Sequence, residues 1–321
     1  MILAGISNRR VTFPRGVATG RYVLSGCSNV DFDFAGVTSQ DALNAIKLTG
    51  GNRDIVIRNL TVARAQSVGI LSVGGNERVW ILDSTIGPCG EGFTGSPPEQ
   101  RHGIYVGSQG VDSDFVLANL RVGPQKYGYG VQLYESALRT IITGCRIETP
   151  GYQGARSDVG IGVLVGASSL DNLLVNTVGL NNRAGLAAGG AGSRAGGLTV
   201  RHCGQVGGGS YGDGQPGAVV GSWVSLSDPS QLVVDPAFVV GDVPLPPPPP
   251  PPPPADPCVD VRANLAATQG ALLDATDRVE EARVLCRDQI VRWRAEKPPR
   301  SWAWIKKQPA SEAFYGPLEG S

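Results

Sequence analysis

Histidine is nearly missing from this chain: there are two, His102 and His202, and no Cys-x-x-Cys or Cys/His spacing accompanies them. The six cysteines therefore match no zinc layout, and neither a metal nor another cofactor is expected. No apolar stretch approaches the roughly 18 residues that a membrane span requires. A secretory leader is also missing, because Met1-Ile-Leu-Ala-Gly-Ile-Ser meets Asn8-Arg9-Arg10 before an apolar core can form; synthesis in a cytoplasm is expected. Neither sign of charge is in excess. The 28 Lys and Arg balance 28 Asp and Glu, which gives no basis for general nucleic-acid binding. Helical spacing is missing from the repeating part of the chain, and 45 glycines penalise helix throughout.

What is present is a repeat. From about Val30 to Val220 one pattern returns seven times: Val30-Asp-Phe-Asp-Phe, Ile55-Val-Ile-Arg-Asn, Val79-Trp-Ile-Leu-Asp, Phe115-Val-Leu-Ala-Asn, Thr140-Ile-Ile-Thr-Gly, Leu173-Leu-Val-Asn-Thr and Leu198-Thr-Val-Arg-His. Their third residues are Phe32, Ile57, Ile81, Leu117, Ile142, Val175 and Val200, at steps of 25, 24, 36, 25, 33 and 25 residues. A base period near 24 with two lengthened copies is the mark of a solenoid. A solenoid grows in one direction, so extra residues must leave as loops on a defined face.

The columns fix the secondary structure. Each apolar pair is followed by a polar or small residue (Asn59, Asp83, Asn119, Gly144, Thr177, His202) and then usually by two more apolar positions, as in Leu60 and Val62 or Leu120 and Val122. Apolar residues at i and i+2 give the period of a strand with one face inward. A second strand is centred on Ile46, Ile70, Ile104, Val131, Val163, Leu186 and Val219, and Gly precedes five of these seven. Cys145 and Cys203 share the inward column with Leu60 and Leu120 and read as small buried hydrophobes; Cys27 and Cys89 fall near bends. Stacked coils pair strand above strand as parallel sheets, and seven coils make a rod of roughly 30–35 Å. Asn59, Asp83 and Asn119 are expected to stack as a side-chain ladder.

This pattern, an Ile-x-Ile-x-Asn-x-x-Val type coil, resembles the right-handed parallel β-helix proteins, among them pectate-lyase-like enzymes, polysaccharide epimerases and phage tailspikes. The resemblance covers roughly residues 10–240 and implies an all-β right-handed parallel β-helix of about seven coils. It specifies architecture and not chemistry.

The length of 321 residues allows a second domain. Residues 1–243 are read as the β-helix, 244–257 as a polyproline linker and 258–321 as a C-terminal helix with an aromatic tail. Pro246 to Pro254 is an unbroken run of nine prolines, a stiff spacer or an SH3-type ligand. Beyond it Val261, Leu265, Thr268, Leu272, Ala275, Val279, Ala282, Cys286, Gln289 and Trp293 alternate steps of four and three, a heptad stripe. One continuous helix would hold Cys258 and Cys286 about 42 Å apart; a hairpin turning near Gly270 would bring them together. The last segment carries Trp302, Trp304, Phe314 and Tyr315, within a basic stretch. It reads as an anchor ordered on a protein partner, with a membrane or nucleic-acid contact as the other reading. Leu265, Leu272, Val279, Trp293, Trp302 and Trp304 are the expected partner-binding residues, and a homo-oligomer is one possible product.

The enlarged coils add their residues at one point. The gap between strands is eight residues in Val62–Ile70 and nine in Val122–Val131, but eighteen in Ile86–Ile104, sixteen in Ile147–Val163 and fourteen in Gln205–Val219. Coils three and five are thus expected to raise two lips around a trough. The first lip holds Glu91, Phe93, Glu99, Gln100, Arg101 and His102; the floor holds Lys126, Tyr127 and Tyr129; the second lip holds Glu148, Tyr152, Gln153, Arg156 and Asp158; the last loop adds Tyr211 and Asp213. Aromatic faces with planar polar groups suit an extended glycan, so Arg101, His102, Tyr127, Tyr129, Tyr152 and Arg156 are the expected glycan-binding residues. A hydrolase would need two carboxylates roughly 5–9 Å apart, for which Glu91, Glu99, Glu148 and Asp158 are the candidates. No Asp cluster of the calcium-dependent lyase kind is present, nor the Asn-Thr-Asp, Asp-Asp and Gly-His-Gly series of polygalacturonases.

A glycan-facing rod, a stiff spacer and an aromatic tail together look like a spike or fibre of a phage or phage-like particle. It would bind a host surface polysaccharide and attach to other virion proteins through residues 258–321. The alternatives are a polysaccharide-degrading enzyme, hydrolase or lyase, on the same scaffold, and a scaffold without a ligand.

Overall fold

The structure, a computed structural model, describes residues 1–90, 101–125, 127–150, 160–209 and 217–238. The chain divides into two compact units, Met1–Ala266 and Ala267–Ser321, and every described residue belongs to the first. The expected linker and helix, with Leu265, Leu272, Val279, Trp293, Trp302 and Trp304, lie outside the described residues.

The first unit is a parallel β-solenoid built of three ladders. The first stacks Ser7–Thr12, Ser28–Asp33, Arg53–Arg58, Glu77–Leu82, Asp112–Ala118, Ile141–Thr143, Asn172–Val175, Leu198–Val206 and Val219–Leu226. The second stacks Gly16–Ala18, Val37–Ala42, Thr61–Ala65, Thr85–Ile86, Arg121–Val122, Arg146–Glu148 and Val178–Leu180, and the ends of the last two long strands join it. The third stacks eight strands: Ile2–Ala4, Tyr22–Ser25, Ile46–Thr49, Ile70–Val73, Ile104–Ser108, Val131–Leu133, Val163–Val165 and Ala187–Gly189. Among the described residues every named pairing is parallel.

The inward columns are the core. Phe32, Ile57, Ile81, Leu117 and Ile142 pair in register and are almost wholly buried. Each such side chain contributes about 1.5–3 kcal/mol of burial free energy. Cys145 and Cys203 lie in the same core as free thiols, and burial pushes them up to about 12 and about 11.

Three sequence expectations need correction. A further coil precedes the first expected copy, with Val11 paired to Phe32. Ile142 faces Leu174 rather than Val175, and Val163 faces Ala187 rather than Leu186. In Leu173-Leu174-Val175 every residue is apolar, so alternation carries no register there, and the bend residue is Asn176 instead of Thr177. Finally, Val219 pairs with Leu198 in the first ladder and not with the third.

Both polar features of the coil have a physical cause. The bend after the first ladder needs a left-handed residue, and Asn59, Asp83, Asn119, Gly144, Asn176 and His202 occupy it at φ between 47° and 62°. Asn, Asp and Gly adopt that region at low cost. Expected stacking there is pairwise: Asn59 donates to Asp33 at 2.8 Å and Asn119 to Asp83 at 3.1 Å. A continuous ladder runs instead inside the bend before the first ladder. Cys27 N–H donates to Asn52, Asn52 donates to Asn76, and Asn76 donates to Asp112, at 2.8–3.1 Å. The glycines before the third ladder have a steric cause. A Cβ on Gly69, Gly103, Gly130 or Gly162 would come within 2.6–2.7 Å of the carbonyl oxygen in the next coil.

After Leu226 the chain forms a strap along the outer face of the first ladder. Two short turns, Pro229–Gln231 and Pro236–Phe238, shape it. Val233 O lies 3.3 Å from His202 Nδ1, Asp235 exchanges two hydrogen bonds with Asn176, and Phe238 O accepts from Thr143 Oγ1 at 2.9 Å. The Phe238 ring lies 5.0 Å beneath the Arg201 guanidinium.

Candidate functional site

The necks of the two enlarged loops are tied to the coils that follow them. Gln125, fully buried, accepts from Cys89 N–H at 2.9 Å and donates to Gly87 O at 2.9 Å. At the second loop Asn182 Oδ1 accepts from Thr149 N–H at 2.8 Å, and the Thr149 hydroxyl lies within donating distance of both Asn182 Oδ1 and Gly160 O, across the neck. A loop tied at its neck can present residues without loosening the core. The loop contents Glu91, Phe93, Glu99, Gln100, Tyr152, Gln153, Arg156 and Asp158, with Lys126, Tyr211 and Asp213, lie outside the described residues.

Between the necks runs the outer face of the third ladder. Its register sets Val23, Lys47, Leu71, Tyr105, Gln132, Leu164 and Ala188 in one outward row. The far end of the row is filled: Tyr129, Ile161, Leu164, Ala184 and Ala188 form an apolar layer of their own over it. The open stretch is centred on the half-buried Tyr105 and Tyr134. The Tyr134 ring lies against Gly166, where a Cβ would come within 2.3 Å of it. Glu135 beside it accepts from Gln109 N–H at 2.8 Å and sits in the left-handed region at φ 57°.

Behind Tyr105 the structure gathers four residues named from the sequence. The His102 ring is stacked on Tyr129 at 5.0 Å and stands edge-on to Tyr105 at 5.4 Å. Arg101 donates to Gly90 O at 2.9 Å and its guanidinium lies 5.3 Å from the Tyr127 ring. Three of the four are buried rather than laid out on the surface: Arg101, His102 and Tyr129 are only 2–7% exposed. They form the wall behind the face, because the chain turns inward toward Ile104 and Val131 at this point. Tyr127 remains half-buried, and so does Glu148.

The electrostatics follow from that burial. Desolvation pulls the His102 imidazole down to about 3, so it is neutral at ordinary pH. Its Nδ1 accepts the Tyr129 N–H at 3.2 Å, which puts the ring proton on Nε2. Gln132 lies beside that imidazole and its buried Oε1 lacks a hydrogen bond of ordinary geometry. Burial, then the Glu135 carboxylate, pushes the Tyr105 phenol up to about 12. The result is a protonated phenol on the open face, against a neutral imidazole, with an unsatisfied amide oxygen one coil away. Among the described residues no group of three His, Cys, Asp or Glu is placed to hold a metal ion, and no helix is long and apolar enough to cross a membrane.

Tyr105, Gln132, Tyr134 and Glu135 were missed from the sequence as site residues. The signal was there: each strand of the third ladder alternates, and the residue after each inward Ile104 or Val131 must point outward.

No known protein family matches the chain, and no curated protein matches it. Among solved structures it is similar to the alginate lyase from Paenibacillus sp. strain FPU-7, at 15% identity and a TM-score of 0.44, over 70% of this chain and 90% of that one.

Proposed function

We propose that this protein acts on an extended polysaccharide, held along the outer face of its third ladder, and that it cleaves the chain there. The observation that carries this reading is the open Tyr105–Tyr134 surface, backed by a neutral His102 and flanked by two loops tied at their necks. Sugar rings stack on aromatic faces, and a row of outward residues spaced about 4.8 Å apart suits a linear polymer. In hydrolysis and in elimination alike the departing sugar oxygen needs a proton. The Tyr105 phenol on this face carries a proton at neutral pH, held more tightly than in a free tyrosine, and Tyr105 is the proton donor in this reading. His102, packed edge-on against that ring, is the positioning residue.

The second reading is a polysaccharide-binding spike without turnover. Its attachment to a particle rests on residues 258–321. A panel of acidic and neutral polysaccharides (alginate, polygalacturonate, dextran and capsule preparations) separates the readings. Chain length, new reducing ends and the ultraviolet absorbance of unsaturated ends are followed with wild-type protein and Tyr105→Phe. Cleavage by the wild type that Tyr105→Phe loses, with binding kept, supports the enzyme. Binding without shortening of any chain leaves the spike. Absence of binding across the panel contradicts both.

A further inference from the structure

The outward side of the first ladder should be wet, yet part of it is dry. Strand alternation points Val56, Trp80, Leu82, Val116 and Ala118 away from the core, and they form an apolar cluster separate from it. They are nonetheless only 0–8% exposed. Outward side chains of a solenoid reach that burial only beneath a further layer. Two buried donors on this face, Trp80 Nε1 and Arg58 Nε, have no hydrogen-bond partner.

The strap leads to this patch. Its contacts step backward through the coils, from His202 to Asn176 to Thr143. The same outward rows continue as Thr143, Ala118 and Leu82, and as Ile141, Val116, Trp80 and Val56. From Thr143 to the coil of Val56 is three coils, about 14 Å at the strand spacing. An extended chain covers that in about five residues. Directly after Phe238 the sequence offers Val239, Val240, Val243, Pro244 and Leu245 and then the proline run. Among the described residues three buried atoms on these rows lack a partner, the donors Trp80 Nε1 and Arg58 Nε and the acceptor Asp31 Oδ1, and an extended segment brings both backbone carbonyls and N–H groups to meet them.

We infer that residues 239–248 dock along the outer face of the first ladder, covering Val116, Leu82, Trp80 and Val56, with the Trp80 indole N–H donating to a backbone carbonyl of that segment. The face is then closed to other partners, and the proline run is held to the rod at its start and does not swing freely from Phe238.

The test follows the Trp80 indole N–H by NMR in the full chain, its resonance assigned by loss in Trp80→Phe. Hydrogen exchange at this site is compared between wild type and a Val239→Ser/Val243→Ser/Leu245→Ser variant, with core methyls of Ile57 and Ile81 reporting an intact solenoid. The expected result is a protected indole in the wild type and loss of that protection in the variant, with the core methyls unmoved. An indole that stays protected in the variant overturns the inference, as does one already unprotected in the wild type. Protection that disappears on diluting the wild type would mean that a second copy covers the face, which also overturns it.

Discussion

At the scale of single residues, burial decides what each side chain can do. Leu117 sits in the central column with no exposure, so Leu117→Ala should cost about 2–5 kcal/mol, read as a fall in the denaturant midpoint at unchanged slope. Asn76 is a link in the inner polar ladder, and its Oδ1 is the acceptor for Asn52 N–H. Asn76→Ala leaves that amide unpaired and should cost about 1–3 kcal/mol by the same measurement. His102 gives the fold a pH dependence with a definite sign. Its folded value is about 3 against an ordinary 6.5. Between these values the unfolded chain takes up a proton that the folded chain refuses, so stability is full above 6.5 and falls as pH drops toward 3. Urea midpoints at pH 7 and pH 5 should therefore differ more for the wild type than for His102→Gln. Equal differences would mean that the imidazole is hydrated.

At the scale of strands and loops, the third ladder is the element that makes the site. Its inward residues are Ile, Val and Leu, which fix the register, and its outward residues are free to vary. Gly166 tests the arrangement without touching the core. A Cβ there pushes on the Tyr134 ring, the flexible end of a side chain. Gly166→Ala should then cost about 1–3 kcal/mol as an overpacked position, read in the melting transition, while weakening polysaccharide binding seen by calorimetry. Legibility in the sequence divides along the same line. Ile57, Ile81, Leu117 and Ile142 were readable because alternation leaves one register for a half-buried strand. Leu173-Leu174-Val175 was not, because three apolar residues in a row fit either register. Tyr129 and His102 were read as surface groups because polarity and ring size speak for a loop; only the stacking of coils buries them, Tyr129 in the apolar layer with Ile161 and Leu164 and His102 against its ring. Trp80 and Leu82 sat in outward positions that alternation does mark, and their burial depends on a layer that no local pattern announces.

At the scale of the whole molecule, a rod of stacked coils offers its partner a linear surface with a repeat near 4.8 Å. One side carries the strap, and another carries the open tyrosines between two tied loops. That division assigns the substrate to the third ladder and the docking of the chain's own residues 239–248 to the first. The central claim is that an extended polysaccharide lies across Tyr105 and Tyr134. The most direct test is the affinity of the intact protein for whichever polysaccharide of the panel it binds, compared by calorimetry with a Tyr105→Ala/Tyr134→Ala variant that keeps the wild-type melting transition. Each tyrosine that anchors a sugar ring should contribute about 1–3 kcal/mol, so the double variant should lose binding by at least about tenfold. An affinity unchanged in the double variant would contradict the assignment and move the polysaccharide off this face.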